Sequence, residues 1–252
     1  MPGLVRRTVF PHLPILLFAL LSGWLGSNGA FAQTAPTPFT AHYRLDISGW
    51  PDATITHTLS RQGDVSSPGE VWESDMRASI KVASGEERGQ FQLDGDRVQA
   101  LDYTSAYSLV GIGDDYHLDK NQLQALPDRQ TALFELSSEA PAARCANPQV
   151  SPCELDYQNH KGKTERLFYR VTDRSDIETP AGTFPGVTVD TWDPEKRDRH
   201  LYFTFHREIP GLLLKMRYIK KDEARSHLTL TDLTLDRPSD AVDDVARSTA
   251  ER

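Results

Sequence analysis

The sequence has few cysteines, a single long apolar run and fewer basic than acidic residues, and each of these features limits the classes of protein to consider. Of its 252 residues, two are cysteine and three are methionine. Beyond residue 32, no run approaches the roughly 20 apolar residues that a membrane-spanning helix needs. The 28 lysines and arginines stand against 36 acidic residues, for a formal net charge of −8. This balance argues against nucleic acid, or an anionic membrane surface, as the main partner.

One apolar run does occur, and its context is typical of a secretory signal peptide over residues 1–32. Arg6 and Arg7 form a basic region, residues 14–26 form the apolar region, and residues 30–32 fit a small-x-small cleavage site. We predict export to the periplasm, cleavage after Ala32 and no stable membrane anchor. An uncleaved anchor is the alternative. Cleavage leaves 220 residues with a net charge of −10, because the segment removed carries two arginines and no acid.

The two cysteines lie close together in a short loop. Cys145 and Cys153 flank seven residues, two of which are proline. Neighbouring cysteines usually pair in an oxidising compartment, so we predict a Cys145–Cys153 disulfide. The spacing fits neither a redox CxxC motif nor a zinc knuckle. Closure of so short a loop stabilises by about 2–3 kcal/mol, which holds a loop rather than a whole fold.

Period-two alternation of apolar and polar residues dominates the rest of the chain. It begins at residues 39–47 and predicts successive strands, two of which flank a turn at Asp94-Gly95. Helical spacing occurs once, over 127–140, after the candidate N-cap Asp128. Without long crossovers the sheet should be antiparallel. We predict a mainly β, single-domain protein over 33–236, with a strongly curved antiparallel sheet or open β-barrel and one short helix. A two-sheet sandwich is the alternative, and the polar residues 237–252 are predicted to be a disordered tail.

Residues 176–190 contain two glycines and two prolines, and they raise the choice between a phosphate-binding loop and a turn. A phosphate loop precedes a helix, whereas Val187 and Val189 continue here in strand alternation. We therefore predict that Gly182 serves a turn between two strands.

The same stretch, "IETPAGTFPGVTV", resembles the E-x-TP-x-GTF segment of DUF3108, a family of exported bacterial proteins of unknown function. Three other segments resemble that family in the same order: "FTAHYRLDISG", "PDRQTALFEL" and "LYFTFHREIPGLLLKMRY". The late strand "YFTFHRE" departs from the family pattern, and "CANPQVSPC" is peculiar to this chain. The resemblance implies an envelope protein with a curved β architecture. It implies no established activity and supplies no catalytic residues.

Motifs of catalysis are scarce. The sequence has no GxSxG, HExxH or Walker motif, and "GIGDDY" lacks the final glycine and the helix of a dinucleotide loop. His200 and His206 are six residues apart on one predicted strand, too far to share a metal ion, and we expect the histidines to face solvent. We assign no catalytic residue, no metal and no cofactor, and the balance is against an enzyme.

Several strands carry bulky residues on both faces. Phe203 is predicted to face the core, while a second face is free to line a groove, to meet the helix or to meet a partner. The candidate ligand-binding residues are mostly aromatic: Tyr103, Tyr169, Trp192, Tyr202, Met216 and Tyr218.

Three functions follow, and each makes a different structural prediction. The first is a periplasmic, non-enzymatic binding or carrier module for a lipid or other amphipathic small molecule, which requires a deep apolar cavity. The second is an envelope scaffold that binds a partner protein, which requires a filled core and an exposed patch. The third is a hydrolase, which requires converging carboxylates or a Ser–His–Asp cluster in a cleft.

Overall fold

The structure, a computed structural model, describes residues 36–63, 69–95, 97–144 and 152–236. The predicted signal peptide, Cys145 and the predicted tail lie outside these residues, so cleavage, the disulfide and the tail remain predictions. The described elements, in chain order, are β1 (Phe39–Ile47), β2 (Ala53–Gln62), β3 (Glu70–Ile80), β4 (Ala83–Asp94), β5 (Arg97–Leu109), β6 (Ile112–Leu118), a 3-10 helix (Gln122–Gln124), α1 (Arg129–Glu139), β7 (Cys153–Gln158), β8 (Thr164–Asp173), β9 (Asp176–Thr179), β10 (Gly182–Trp192), β11 (Arg199–His206), β12 (Leu213–Lys220) and β13 (Glu223–Leu235).

All the strand pairs are antiparallel and belong to one continuous sheet. The spatial order is β6-β5-β4-β3-β2-β1-β13-β12-β11-β10-β8-β7, and β9 adds to β10. The first and last strands pair in the middle of this order, with Phe39 opposite Leu235. The edge strands, β6 and β7, are therefore neighbours in sequence. A single sheet of this kind confirms the predicted antiparallel architecture and excludes the two-sheet sandwich.

The sheet curls until its two edges approach each other without pairing. The rings of Tyr116 on β6 and His160 after β7 meet edge to face, with centroids 4.8 Å apart. The Gln158 amide N–H donates to the Pro127 carbonyl at 2.8 Å. No ladder joins β6 to β7 within the residues that the structure describes. The sheet is therefore strongly curved and not closed into a barrel.

Helix α1 packs inside the curl against β4, β5 and β7. Asp128 caps it as predicted, because its Oδ1 accepts from the backbone N–H groups of Gln130 and Thr131 at 2.8 and 3.0 Å. Phe134 packs on Phe91 with ring centroids 4.5 Å apart. In the described part of the chain, no helix has the length and apolar character required to cross a bilayer.

The inner face of the sheet carries the hydrophobic core. Phe203 lies on this face and packs at the margin of the core, which agrees with its prediction. The largest completely buried side chains of the core come from strands spread across the whole sheet: Phe39, Tyr43, Leu59, Phe91, Tyr103, Val187, Val189, Phe205 and Leu230.

Residues 176–190 form the hairpin of β9 and β10. Thr179 pairs with Gly182, and the φ of Gly182 is +134°, a value that L-residues rarely adopt. The prediction of a turn between two strands is confirmed.

Candidate interaction site

A chain of buried hydrogen bonds runs across the inner face of the sheet to α1. His57 Nε2 lies 2.9 Å from Ser74 Oγ, and Ser74 Oγ donates to Gln130 Oε1 at 3.1 Å. Gln130 Nε2 and Arg129 Nε both donate to Glu87 Oε2 at 3.1 Å. Because Ser74 uses its proton toward Gln130, His57 Nε2 must be the donor to Ser74. Each donor therefore points along the chain toward the Glu87 carboxylate.

This direction determines what the His57–Ser74 pair can do. A histidine that donates to a serine cannot remove its proton, so His57 is not placed as a general base. Its Nδ1 has no hydrogen-bond partner among the described residues, so no acid orients the ring. Burial lowers the pKa of His57 to about 4, which keeps the ring neutral at physiological pH. The pair stabilises the interior and lacks the geometry of a catalytic triad.

A second polar cluster lies on the outer face of the sheet around Asp190. The Asp190 side chain is fully buried beneath its partners. Its Oδ2 accepts from Arg170 Nε and Nη2 at 3.1 and 2.9 Å, and its Oδ1 lies 2.7 Å from His200 Nδ1. Arg170 in turn lies over the ring of Trp192, 5.7 Å from its centroid. The Asp190 carboxylate thus forms an ion pair with Arg170 and a hydrogen bond with His200, and it is not one of a pair of converging acids.

The six predicted ligand-binding residues do not share one surface. Strand register places Tyr103, Tyr169, Met216 and Tyr218 on the inner face, and Trp192 and Tyr202 on the outer face. Tyr103 and Tyr169 are buried in the packed interior, with 0% and 4% of their surface exposed. Burial, with the charge of Glu87, raises the pKa of Tyr103 to about 12. Their ligand-binding role stays a prediction that no contact here tests.

The expectation that the histidines face solvent is wrong for His57 and His206. Their exposed fractions are 3% and 6%: His57 lies on the inner face of the sheet, and the His206 ring packs against Phe184 with ring centroids 5.8 Å apart. Burial lowers the pKa of His206 as well. Among the residues that the structure describes, no group of three histidine, cysteine or acidic side chains is arranged to hold a metal ion.

Cavities lined by described residues lie at the surface and have mixed linings. A cavity of about 260 Å³ lies between the β4–β5 hairpin and the 3-10 helix, and its lining includes Asp94, Arg97 and Leu123. Another, of about 450 Å³, opens on the outer face of β2–β5 and is lined by Thr56, Arg77 and Glu86 among others. Their charged and hydroxyl groups do not match an acyl chain.

The exposed large apolar residues of the described chain include Trp50 between β1 and β2 and Tyr107 on β5, but the other four lie together at the tips of two adjacent hairpins. We call Val82, Leu109, Val110 and Ile112 the apolar tip. Val110 and Ile112 are 75% and 80% exposed, and the Val110 amide donates to the Val82 carbonyl at 2.7 Å, which ties the two turns together. Val110 has a φ of +52°, and positive φ is a true outlier for a β-branched residue. A strained, solvent-exposed valine next to an exposed isoleucine is therefore the least expected feature of the surface.

Sequence reasoning missed the apolar tip although a local signal was present. Residues 107–113 read Tyr-Ser-Leu-Val-Gly-Ile-Gly, and the two-residue turn at Val110-Gly111 lacks the Asn or Asp that such turns favour. In the sequence, Gly111 and Gly113 match only the start of a GxGxxG motif. The useful signal was a valine at a turn position that normally takes asparagine or aspartate.

Comparison with protein-family models finds no match for this chain, and neither does comparison with curated protein sequences. Among solved structures, the chain is similar to a beta-barrel-like protein of domain of unknown function DUF1849 from Brucella abortus. That similarity has 13% identity and a TM-score of 0.46, and it covers 80% of this chain and 99% of the other.

The chain is also similar to MucB, at 13% identity and a TM-score of 0.31, over 84% of this chain and 57% of MucB. For the complex structure of Pseudomonas aeruginosa MucA/MucB, the identity is 11% and the TM-score is 0.36, and the similarity covers 85% of this chain and 56% of the other. The chain thus spans little more than half of the MucB chains it matches. Similarities at this level do not transfer function, so function has to be inferred from the residues of this chain.

Proposed function

We propose that this protein is a non-enzymatic interaction protein of the bacterial cell envelope that binds a partner protein through the apolar tip. The observation that carries the proposal is the exposure of Val110 and Ile112 at 75% and 80%. The signal-peptide pattern of residues 1–32 supports a periplasmic location.

The backbone of the turn supports a functional reason for the apolar tip. Positive φ at Val110 and at Gly111 is the geometry that Asn-Gly or Asp-Gly satisfies without strain. A non-glycine residue in this region costs on the order of 1 kcal/mol, and more for a β-branched side chain. Strain of this kind is concentrated at active sites and ligand-binding sites in proteins.

The interior supports the interaction protein over the carrier. A carrier needs free space against the inner face, whereas α1 and the core side chains occupy that face, and Tyr103 and Tyr169 present almost no surface to a ligand. A filled core with an exposed patch is the pattern predicted for the interaction protein. The carrier of an amphipathic ligand therefore ranks second.

The test places a photo-crosslinking amino acid at position 110 or 112 of the full chain in its native host. The matched control position is Glu178, which is exposed on β9. We expect one discrete protein to be cross-linked from 110 and 112 and not from 178.

The partner identified in this way is then purified and titrated against the wild type, Val110→Asn and Lys221→Asn. Lys221 also has positive φ in a hairpin turn, at +51°, but it lies outside the apolar tip. We expect Val110→Asn to weaken binding at least tenfold, as for loss of a binding hot spot, and Lys221→Asn to leave it unchanged. Equal binding by all three proteins would reject the proposal.

A further inference from the structure

We infer that the free edge of β6 binds an extended, basic segment of the partner as an additional strand of the sheet. This inference rests on the proposed function, because β6 begins at Ile112 in the apolar tip. It specifies how the partner is held and which side chains it carries.

The backbone of β6 is paired on one side only. β6 pairs with β5, and no strand lies on its other side within the residues that the structure describes. The hairpin has a two-residue loop, with Leu109 opposite Ile112. Residues that flank such a loop exchange backbone hydrogen bonds, and bonded and non-bonded pairs then alternate. The N–H and C=O groups of Gly113, Asp115 and His117 consequently point toward the open edge.

The first half of this edge is accessible, whereas Tyr116 in the second half contacts His160, which follows β7. Residues 112–115 and 117 are exposed. Gly113 cannot be replaced without a shift of the chain, because a Cβ there would collide with the Tyr107 carbonyl. This glycine is required by the close approach of β5, and it also adds no side chain at the first position of β6 whose N–H and C=O face the open edge.

The opposite edge of the sheet is less open. The Gln158 amide at the end of β7 donates to the Pro127 carbonyl, and Asp128 forms an isolated bridge with Gln158. Helix α1 also packs against β7. Strand addition is therefore favoured at β6, not at β7.

The negative charge of the β6 edge indicates which kind of segment can pair with it. Asp114 and Asp115 project from opposite faces of β6, and Asp115 has neither an ion-pair nor a hydrogen-bond partner in the described part of the chain. Asp114 accepts from the Tyr107 hydroxyl at 2.8 Å. A second copy of this chain, paired edge to edge, would set acidic residues against acidic residues, which destabilises a sheet. A segment with lysine or arginine side chains is complementary.

Acidic residues on an edge strand are also a known protection against unwanted pairing. Protection alone does not account for β6, because the strand starts at the 80% exposed Ile112 and follows the 75% exposed Val110. A purely protective edge would have polar residues at both positions. An acidic edge beside apolar side chains instead selects a basic partner strand with alternating apolar residues.

The test uses the mature chain, residues 33–252, and a blocked decapeptide that alternates lysine with valine. A decapeptide that alternates glutamate with valine is the charge control. Binding is followed by amide NMR chemical shifts and by hydrogen exchange. We expect the lysine peptide to shift the resonances of β6 and to protect the amides of Gly113, Asp115 and His117 from exchange. We expect the glutamate peptide to do neither.

Asp115→Pro removes an outward amide without removing a hydrogen bond to β5, since proline is tolerated on the open side of an edge strand. We expect it to weaken peptide binding at least tenfold, with spectra unchanged outside β6. Asp115→Asn loses the charge and keeps the amide, and we expect an intermediate loss. Equal peptide binding by wild type and Asp115→Pro, or no binding of the lysine peptide to wild type, would overturn the inference.

The two proposals fail separately when the cross-linked partner is used instead. If the partner binds the Val110→Asn protein normally but does not bind the Asp115→Pro protein, the proposal for the apolar tip is rejected and the proposal for the β6 edge is retained. If the partner does not bind the Val110→Asn protein but binds the Asp115→Pro protein normally, the proposal for the apolar tip is retained and the proposal for the added strand is rejected.

Discussion

Two carboxyl groups of α1 and its N-cap make the stability of the protein depend on pH. Burial raises the pKa of Glu135 to about 7, with a further contribution from the charges of Glu139 and Asp128. Burial also raises the pKa of Asp128 to about 6. Both values exceed those of an unfolded chain, so the folded protein binds these protons more tightly. Their contribution to the free energy of unfolding is therefore lost as pH rises from about 4 to about 7.

We predict that Glu135→Gln stabilises the protein at high pH. The neutral amide avoids the cost of ionising a half-buried carboxyl, so the free energy of unfolding at pH 8 should rise by about 1–3 kcal/mol. The gain should shrink toward zero as pH falls to about 4. Urea unfolding of both proteins at pH 8, 6 and 4 measures it. His57, whose low pKa acts in the opposite direction, is common to both proteins and cancels.

The control for this substitution is Glu178→Gln, because Glu178 is exposed on β9. At pH 8 its free energy of unfolding should match that of wild type, because the side chain is exposed. A Glu135→Gln protein that is no more stable than wild type at pH 8 would show that the Glu135 carboxylate is solvated in the folded state.

At the scale of elements, the β5–β6 turn should be a place where stability and binding oppose each other. We predict that Val110→Asn raises the free energy of unfolding by about 1 kcal/mol, because asparagine adopts positive φ with less strain. Chemical denaturation measures the change, and Lys221→Asn in the β12–β13 turn is the matched control, with a gain of similar sign. A loss of stability in Val110→Asn would mean that the valine side chain packs on this chain and not on a partner.

The elements themselves were largely predictable because each is specified by local pattern. Alternation located the strands, Asp94-Gly95 located the β4–β5 turn, and Asp128 located the start of α1. The pairing of β1 with β13 was not predictable, since a register such as Phe39 with Leu235 depends on residues nearly 200 positions apart along the chain. Local periodicity has no information about such a partner.

The candidate site was less predictable than the fold for the same physical reason. Tyr103 and Trp192 both look like binding residues in sequence, but strand register turns one into the core and the other to the outer face. The hydrogen-bond chain from His57 to Glu87 joins β2, β3, α1 and β4, and it cannot be predicted from the spacing of these residues in the sequence. The apolar tip was recognisable only once its backbone geometry was known.

For the whole molecule, the decisive question is whether the inside of the curl is filled or is a binding cavity. Phe134 on α1 contacts parts of the sheet that are far apart in sequence. Its ring packs on Phe91 of β4, and it lies against Gly211 in the β11–β12 turn. Helix α1 therefore connects parts of the curled sheet that are far apart in sequence.

We predict that Phe134→Ala lowers the free energy of unfolding by about 3–5 kcal/mol, whereas Leu133→Ala at the half-buried neighbouring position costs less. Denaturant unfolding measures both. Native mass spectrometry of the mature proteins, purified gently from the periplasm, then asks what occupies the curl. Because α1 fills the space, wild type should carry no stoichiometric lipid, and only Phe134→Ala has room for an added apolar molecule. A lipid bound one-to-one to wild type would restore the carrier hypothesis to first place, since α1 would then have to move aside to admit it.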